Sequence, residues 1–160
     1  MSNNGKPKLA IVMVMYSGVD PLNLVGPYEV LSRLPAARIQ LVSGTPAPIR
    51  CSLGLTLAPD ACYSNTLKAD VLFVPGGPGH RAMLEDIAFL TYLQKQAEVA
   101  ALVSSVCTGS LLLGAAGLLH GYAATTHWVC MEDLTLYGAI PVPKRIVIDR
   151  DRITGAGVSA

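Results

Sequence analysis

The chain has 160 residues, enough for one domain with a sizeable core. Hydrophobic residues make up 51% and charged residues 14%, and the net charge is +1. With no basic cluster, nothing supports binding to nucleic acid or to an anionic membrane. The longest apolar runs, Leu9–Tyr16 and Leu111–Leu119, fall well short of the roughly 20 residues that a bilayer requires, and the second is broken by Gly114 and Gly117. Such runs are what strands buried on both faces produce. Met1–Lys8 is polar, with no apolar segment behind a basic start, which predicts a cytoplasmic location. Cys51, Cys62, Cys107 and Cys130 lie far apart, without the close pairing of a zinc site, so neither a metal site nor a disulfide framework is expected.

In chain order, Lys8–Tyr16 predicts a central strand and Asp20-Pro21 a turn. Asn23–Leu34 has helical spacing, with Leu24, Tyr28, Leu31 and Leu34 in one stripe, and Pro35 ends that helix. Ile39–Ser43 is a second strand, and Ile49–Ala58 alternates around Ser52 and Gly54 as a hairpin does. Val71–Val74 is a third strand, closed by Pro75-Gly76-Gly77-Pro78-Gly79. Ile87–Glu98 is an amphipathic helix and Ala101–Val106 a fourth strand. Leu111–Ala116 is helical in composition, Ala124–His127 is extended, and Val129–Tyr137 is expected to be helical. Ile146–Asp149 and Arg152–Thr154 pair around Asp149-Arg150-Asp151. Gly155–Ala160 reads as a strand-to-helix turn, with Ser159 as a cap. Alternating strands and helices imply an α/β fold, a mostly parallel sheet covered on both faces. A turn with no helix after it predicts a single domain over residues 1–160 that lacks a C-terminal helix and so exposes one sheet face.

Cys107 is the residue on which chemistry is expected. It follows Val103-Ser104-Ser105-Val106 and precedes Thr108-Gly109-Ser110, so it sits where a buried strand gives way to a helix. A thiol reacts as its anion, and helix N-terminal amides favour that anion. Small flanking residues permit the strained turn that lifts a nucleophile above a sheet, at the strand ends where open α/β sheets bind ligands. Gly76 and Gly77 follow the neighbouring strand, where an N–H, with that of Thr108, would hold a developing negative charge. His127 is the candidate imidazole partner. His80, His120, Cys51, Cys62 and Cys130 read as ordinary surface or packing residues.

These residues resemble the ThiJ/PfpI superfamily of the class I glutamine amidotransferase-like, flavodoxin-like fold. The resemblance rests on Ser105-Val106-Cys107-Thr108-Gly109-Ser110-Leu111, Gly114-Ala115-Ala116-Gly117-Leu118-Leu119, Ala124-Thr125-Thr126-His127-Trp128, Val74-Pro75-Gly76-Gly77 and Leu24-Val25-Gly26-Pro27-Tyr28-Glu29-Val30. It runs from Lys8 to Ala160 and points to the isonitrile hydratase branch and to the ligand-binding domains of some AraC-type regulators. The resemblance implies a homodimer without metal or organic cofactor, a small-molecule substrate and hydro-lyase chemistry. Cys107 would attack R–N≡C to give a thioimidate, Thr108 would assist, and water would release an N-substituted formamide. The family places an aspartate where this chain has Asn23. An amide donates a hydrogen bond but exchanges no proton at neutral pH, so impaired hydratase activity is expected unless Asp20 or Glu29 substitutes.

Five other readings compete. Two keep the thiol: glyoxalase-like chemistry and reversible oxidation sensing. A third is a non-enzymatic ligand-binding domain of the regulator type. A PfpI-type protease is weaker, because Thr108 stands where those proteins carry histidine. Glutamine amidotransfer lacks its late histidine and glutamate, since nothing suitable follows Ile146.

Overall fold

The computed structural model describes residues 9–157. The chain opens with β1 (Leu9–Val14), α1 (Pro21–Leu31) and β2 (Ala37–Ser43). Three two-residue strands follow: β3 (Ile49–Arg50), β4 (Thr56–Leu57) and β5 (Ala61–Cys62). Then come β6 (Val71–Val74), α2 (His80–Met83), α3 (Ile87–Ala97), β7 (Leu102–Val106) and α4 (Gly109–Ala115). The last elements are β8 (Ala123–Ala124), β9 (Ile140–Pro141), β10 (Ile146–Asp149) and β11 (Arg152–Gly155). The main sheet has seven strands in the order β10-β11-β7-β6-β1-β2-β5. Every pairing in it is parallel except β10 with β11. The expected hairpin exists as the antiparallel pair β3–β4, with Ile49 opposite Leu57.

The apolar runs become strands because the sheet centre is dry. Ile11, Val12, Met13 and Val14 are all buried, as strands flanked by parallel neighbours are. The chain leaves β1 for β2 on one side and returns to β6 on the other. The order therefore reverses between β1 and β6, and a cleft opens at their carboxyl ends, where ligands bind in such sheets.

Helix boundaries depart from the sequence expectation in instructive ways. Asp20-Pro21 is not a separate turn: Asp20 caps α1, its Oδ1 accepting the N–H groups of Leu22 (2.9 Å) and Asn23 (3.3 Å), and Pro21 opens the helix. Proline at the first helical position costs nothing, since its missing N–H has no helical partner there. The helix ends at Leu31, before Pro35. Its expected stripe is incomplete, with Leu24 buried but Tyr28 and Leu34 exposed. Val129–Tyr137 forms two 3₁₀ segments, Trp128–Cys130 and Glu132–Tyr137, rather than an α-helix. Leu134 is buried there, whereas Val129 and Leu136 lie open, so no apolar stripe holds an α-helical register. Beyond Ala124, Thr125–His127 is not strand, since β8 stops at Ala124. The proposed cap at Ser159 lies outside the described residues.

The two sheet faces are covered unequally. On the α3–α4 side Leu72, Val74 and Val103 are fully buried. On the α1 side, Val71, Phe73, Leu102, Val106 and Ile153 line an open groove of about 580 Å³ together with Leu22, Val30 and Leu31. Among the described residues no helix is long and apolar enough to cross a membrane.

Helix α3 gives a clean stability test away from the cleft. Asp86 caps it by accepting the Phe89 N–H at 3.0 Å, and Phe89 and Leu93 anchor its inner face at zero exposure. Asp86→Ala is expected to cost about 1 kcal/mol, lowering the melting temperature by roughly 2–4 °C in thermal denaturation.

Candidate active site

Three loops meet at the carboxyl ends of β1, β6 and β7. The chain turns sharply at Cys107, whose φ is 57°. This left-handed conformation costs a non-glycine residue about 1–2 kcal/mol. Several bonds hold it. The Cys107 N–H donates to Gly155 O (2.9 Å), and Cys107 O accepts the Thr126 hydroxyl (2.8 Å). Behind the turn, Ser110 Oγ lies 2.8 Å from Ser105 Oγ and donates to Thr125 O at 2.7 Å, while the Thr125 N–H donates to Thr154 Oγ1 at 2.9 Å. Strain of this kind persists only where surrounding contacts over-determine it.

The β6–α2 loop presses against the turn. A side chain at Gly76 would lie 2.8 Å from Thr108 Oγ1 and 2.9 Å from Cys107 Cβ, so only glycine permits this approach. Gly77 (φ 149°) packs on the β1–α1 loop, and the Asp20 N–H donates to Gly76 O at 2.9 Å. Tyr16 anchors the far side by donating its hydroxyl to Pro75 O at 2.8 Å. Burial, and then the nearby charges of Cys107 and Asp20, push the Tyr16 hydroxyl pKa up, so it stays protonated as that donor.

The result is a cavity of about 270 Å³ walled by Asp20, Asn23, Gly77, Pro78, His80, Cys107, Thr108 and His127. Cys107 is only 6% exposed, yet it forms part of this wall. Asn23 is 1% exposed, and neither Oδ1 nor Nδ2 has a partner among the described residues. Buried polar atoms without partners cost about 1–3 kcal/mol each, and a polar ligand in the cavity would satisfy them.

The structure thus gathers Cys107, Thr108, Asn23, Asp20, Gly77 and His127 around one cavity. It separates Glu29, which is exposed on α1 and ion-paired with Arg33, so Glu29 cannot serve the site. It also occupies the Gly77 N–H, which donates to Thr108 Oγ1 at 3.0 Å. That N–H is therefore not a free donor for developing charge, and the Thr108 backbone N–H remains the candidate. Sequence reasoning missed His80, which is buried in the cavity wall, and the structural duty of Thr125 and Thr126. Both threonines stand beside His127 in the Ala124–Trp128 stretch that carries the family resemblance.

A strained cysteine elbow on a mostly parallel α/β sheet faces a small, open cavity, and these features define the class of α/β domain to which the chain belongs. The chain belongs to the DJ-1/PfpI family, whose model matches residues 9–160. It is 44% identical over 152 residues to an isonitrile hydratase of Pseudomonas putida, covering 95% of this chain and 67% of that protein. It is 33% identical over 147 residues to the HTH-type transcriptional regulator GbdR of Pseudomonas aeruginosa, covering 90% of this chain and 39% of the regulator. A ThiJ/PfpI family protein from Pseudomonas syringae superposes with a TM-score of 0.92 at 40% identity, over 99% of this chain and 70% of that one.

Proposed function

We propose that this chain is a cysteine-dependent hydratase that adds water to an isonitrile, R–N≡C, and releases an N-substituted formamide. The observation that carries the reading is the Cys107 elbow. A strained turn sets a thiol into the wall of a small cavity, in a chain closely similar to an isonitrile hydratase. The Cys107 sulfur bonds to the isonitrile carbon, and a proton reaches that carbon, giving Cys–S–CH=N–R. Water then adds across C=N, oxygen to carbon and hydrogen to nitrogen. Collapse of the adduct breaks the C–S bond, yields R–NH–CHO and returns a proton to the sulfur. The Thr108 backbone N–H donates to the developing negative charge. A cavity of about 270 Å³ lies below the usual range for drug-sized ligands and suits a compact R group.

Asn23 supplies a hydrogen bond but no proton exchange, and general acid–base help is worth roughly 100- to 10,000-fold in rate. With cyclohexyl isocyanide, slow formamide formation is expected from this chain, faster formation from Asn23→Asp and none from Cys107→Ala. No turnover by any of the three, each folded, overturns the reading. That outcome favours a ligand-binding sensor domain instead, which the amide at position 23 and the likeness to a regulator also support.

A further inference from the structure

We propose that His80 exchanges the protons of this site, a duty that Asn23 cannot perform. The inference rests on the hydratase reading for its substrate, though not for its geometry. His80 is 8% exposed and stands in the cavity wall with Cys107. Its Nδ1 lies 2.9 Å from Gly77 O. A carbonyl only accepts, so Nδ1 carries the hydrogen and Nε2 is left as the basic nitrogen. Nε2 has no hydrogen-bond partner among the described residues. The Gly77 carbonyl thereby selects the tautomer and orients the ring, as an oriented base requires.

The other titratable groups around the cavity are less suited. Asp20 spends Oδ1 on the first amides of α1. His127 is half-buried, and its Nδ1 receives the Val129 N–H at 3.4 Å. Glu29 is remote from the cavity. Asp20, Cys107 and His127 face His80 across the cavity, Cys130 lies on the 3₁₀ segment beyond His127, and Arg81 on α2 is exposed.

Proton transfers balance through this one imidazole. Nε2 takes the Cys107 thiol proton and delivers it to the isonitrile carbon as the C–S bond forms. Nε2 next takes a proton from water as its oxygen attacks the thioimidate carbon, and gives it to nitrogen. Finally it moves the hydroxyl proton to the departing sulfur. Imidazole begins and ends neutral, and no redox step occurs. The orphaned Asn23 amide is free to hold the substrate or the attacking water.

His80→Asn tests this directly, because the asparagine amide can still donate to Gly77 O in place of Nδ1 but cannot exchange a proton. His80→Gln provides the second variant. With Asn23 present, His80→Asn should lower kcat/KM for cyclohexyl isocyanide roughly 100-fold or more. It should also erase the acid limb of the pH profile, where protonation of Nε2 removes the base. In an Asn23→Asp background, where a carboxylate shares the duty, the same change should cost about fivefold or less, a non-additivity expected of residues acting together. Iodoacetamide alkylation of Cys107 supplies a readout without substrate. Its rate against pH should carry an imidazole-linked step that vanishes in both His80 variants. Equal kcat/KM with and without His80, turnover only when Asn23→Asp is present, or alkylation profiles unmoved by either variant would each overturn the role of His80. If neither this chain nor Asn23→Asp hydrates isonitrile, the hydratase reading alone falls, and the alkylation profile still decides His80.

Discussion

Cys107→Ala is expected to keep its fold and lose isonitrile hydration entirely. The thiol is the strongest nucleophile in the cavity wall, and no neighbouring group replaces a C–S bond. Cys107→Ser should be equally inactive, because a hydroxyl is a far weaker nucleophile than a thiolate without dedicated activation. Stability should respond quite differently. Alanine retains Cβ, so the positive φ and its strain remain, and only the buried sulfur is lost. That costs about 1 kcal/mol, or roughly 2–4 °C in melting temperature. Cys107→Gly relieves the left-handed strain, worth about 1–2 kcal/mol, and gives back about 0.4–1 kcal/mol through greater freedom of the unfolded chain. The glycine variant should therefore melt at or slightly above the alanine variant. Formamide detection beside thermal denaturation separates the two effects. Turnover by Cys107→Ala at the parent rate would leave the proposed chemistry without a nucleophile.

The sheet is legible in the sequence because its central strands are rich in apolar residues. Ile11–Val14 and Val71–Val74 are unbroken apolar runs, Leu102–Val106 is an apolar run interrupted by Ser104 and Ser105, and their order places Cys107 at the cleft. The elbow was legible too, since a thiol between a strand and small residues leaves few alternatives. What escaped depends on distances across the chain. Glu29 stands six residues from Asn23 on α1. Six helical steps turn roughly 240°, so Glu29 leaves the cavity and meets Arg33. Pro-Gly-Gly suggested free amides, but the Thr108 hydroxyl, 31 residues away, consumes the Gly77 N–H. His80 reads as an ordinary surface or packing histidine because the carbonyl that orients it lies across a tight turn, which residue types alone do not specify. The extent of the exposed groove likewise reflects which helix crosses which face, a property of topology rather than of local pattern.

The meeting of the loops, rather than the elbow alone, should prove the most fragile feature. Gly77 takes a φ of 149°, closed to other residues except at a cost of about 1–3 kcal/mol. A methyl group there would collide with the Asp20 N–H and lie 2.7 Å from Gly18 O, both backbone atoms in the facing loop. Backbone does not swing aside as a flexible side chain does, so overpacking adds a further penalty of about 1–3 kcal/mol. Gly77→Ala is thus expected to lose roughly 2–6 kcal/mol, lowering the melting temperature by about 4–24 °C. The damage should reach the chemistry even at temperatures where the variant is folded. Relief of the collision parts the β1–α1 loop from the β6–α2 loop, and with it Asn23 from the His80 ring that Gly77 O orients. Misplacement by about 1 Å can cost on the order of 100-fold in rate. Asp86→Ala, destabilising but remote, is the matched control. A variant at Gly77 that melts and turns over like the parent would mean that the loops yield freely, and the cavity wall would then not be preorganised.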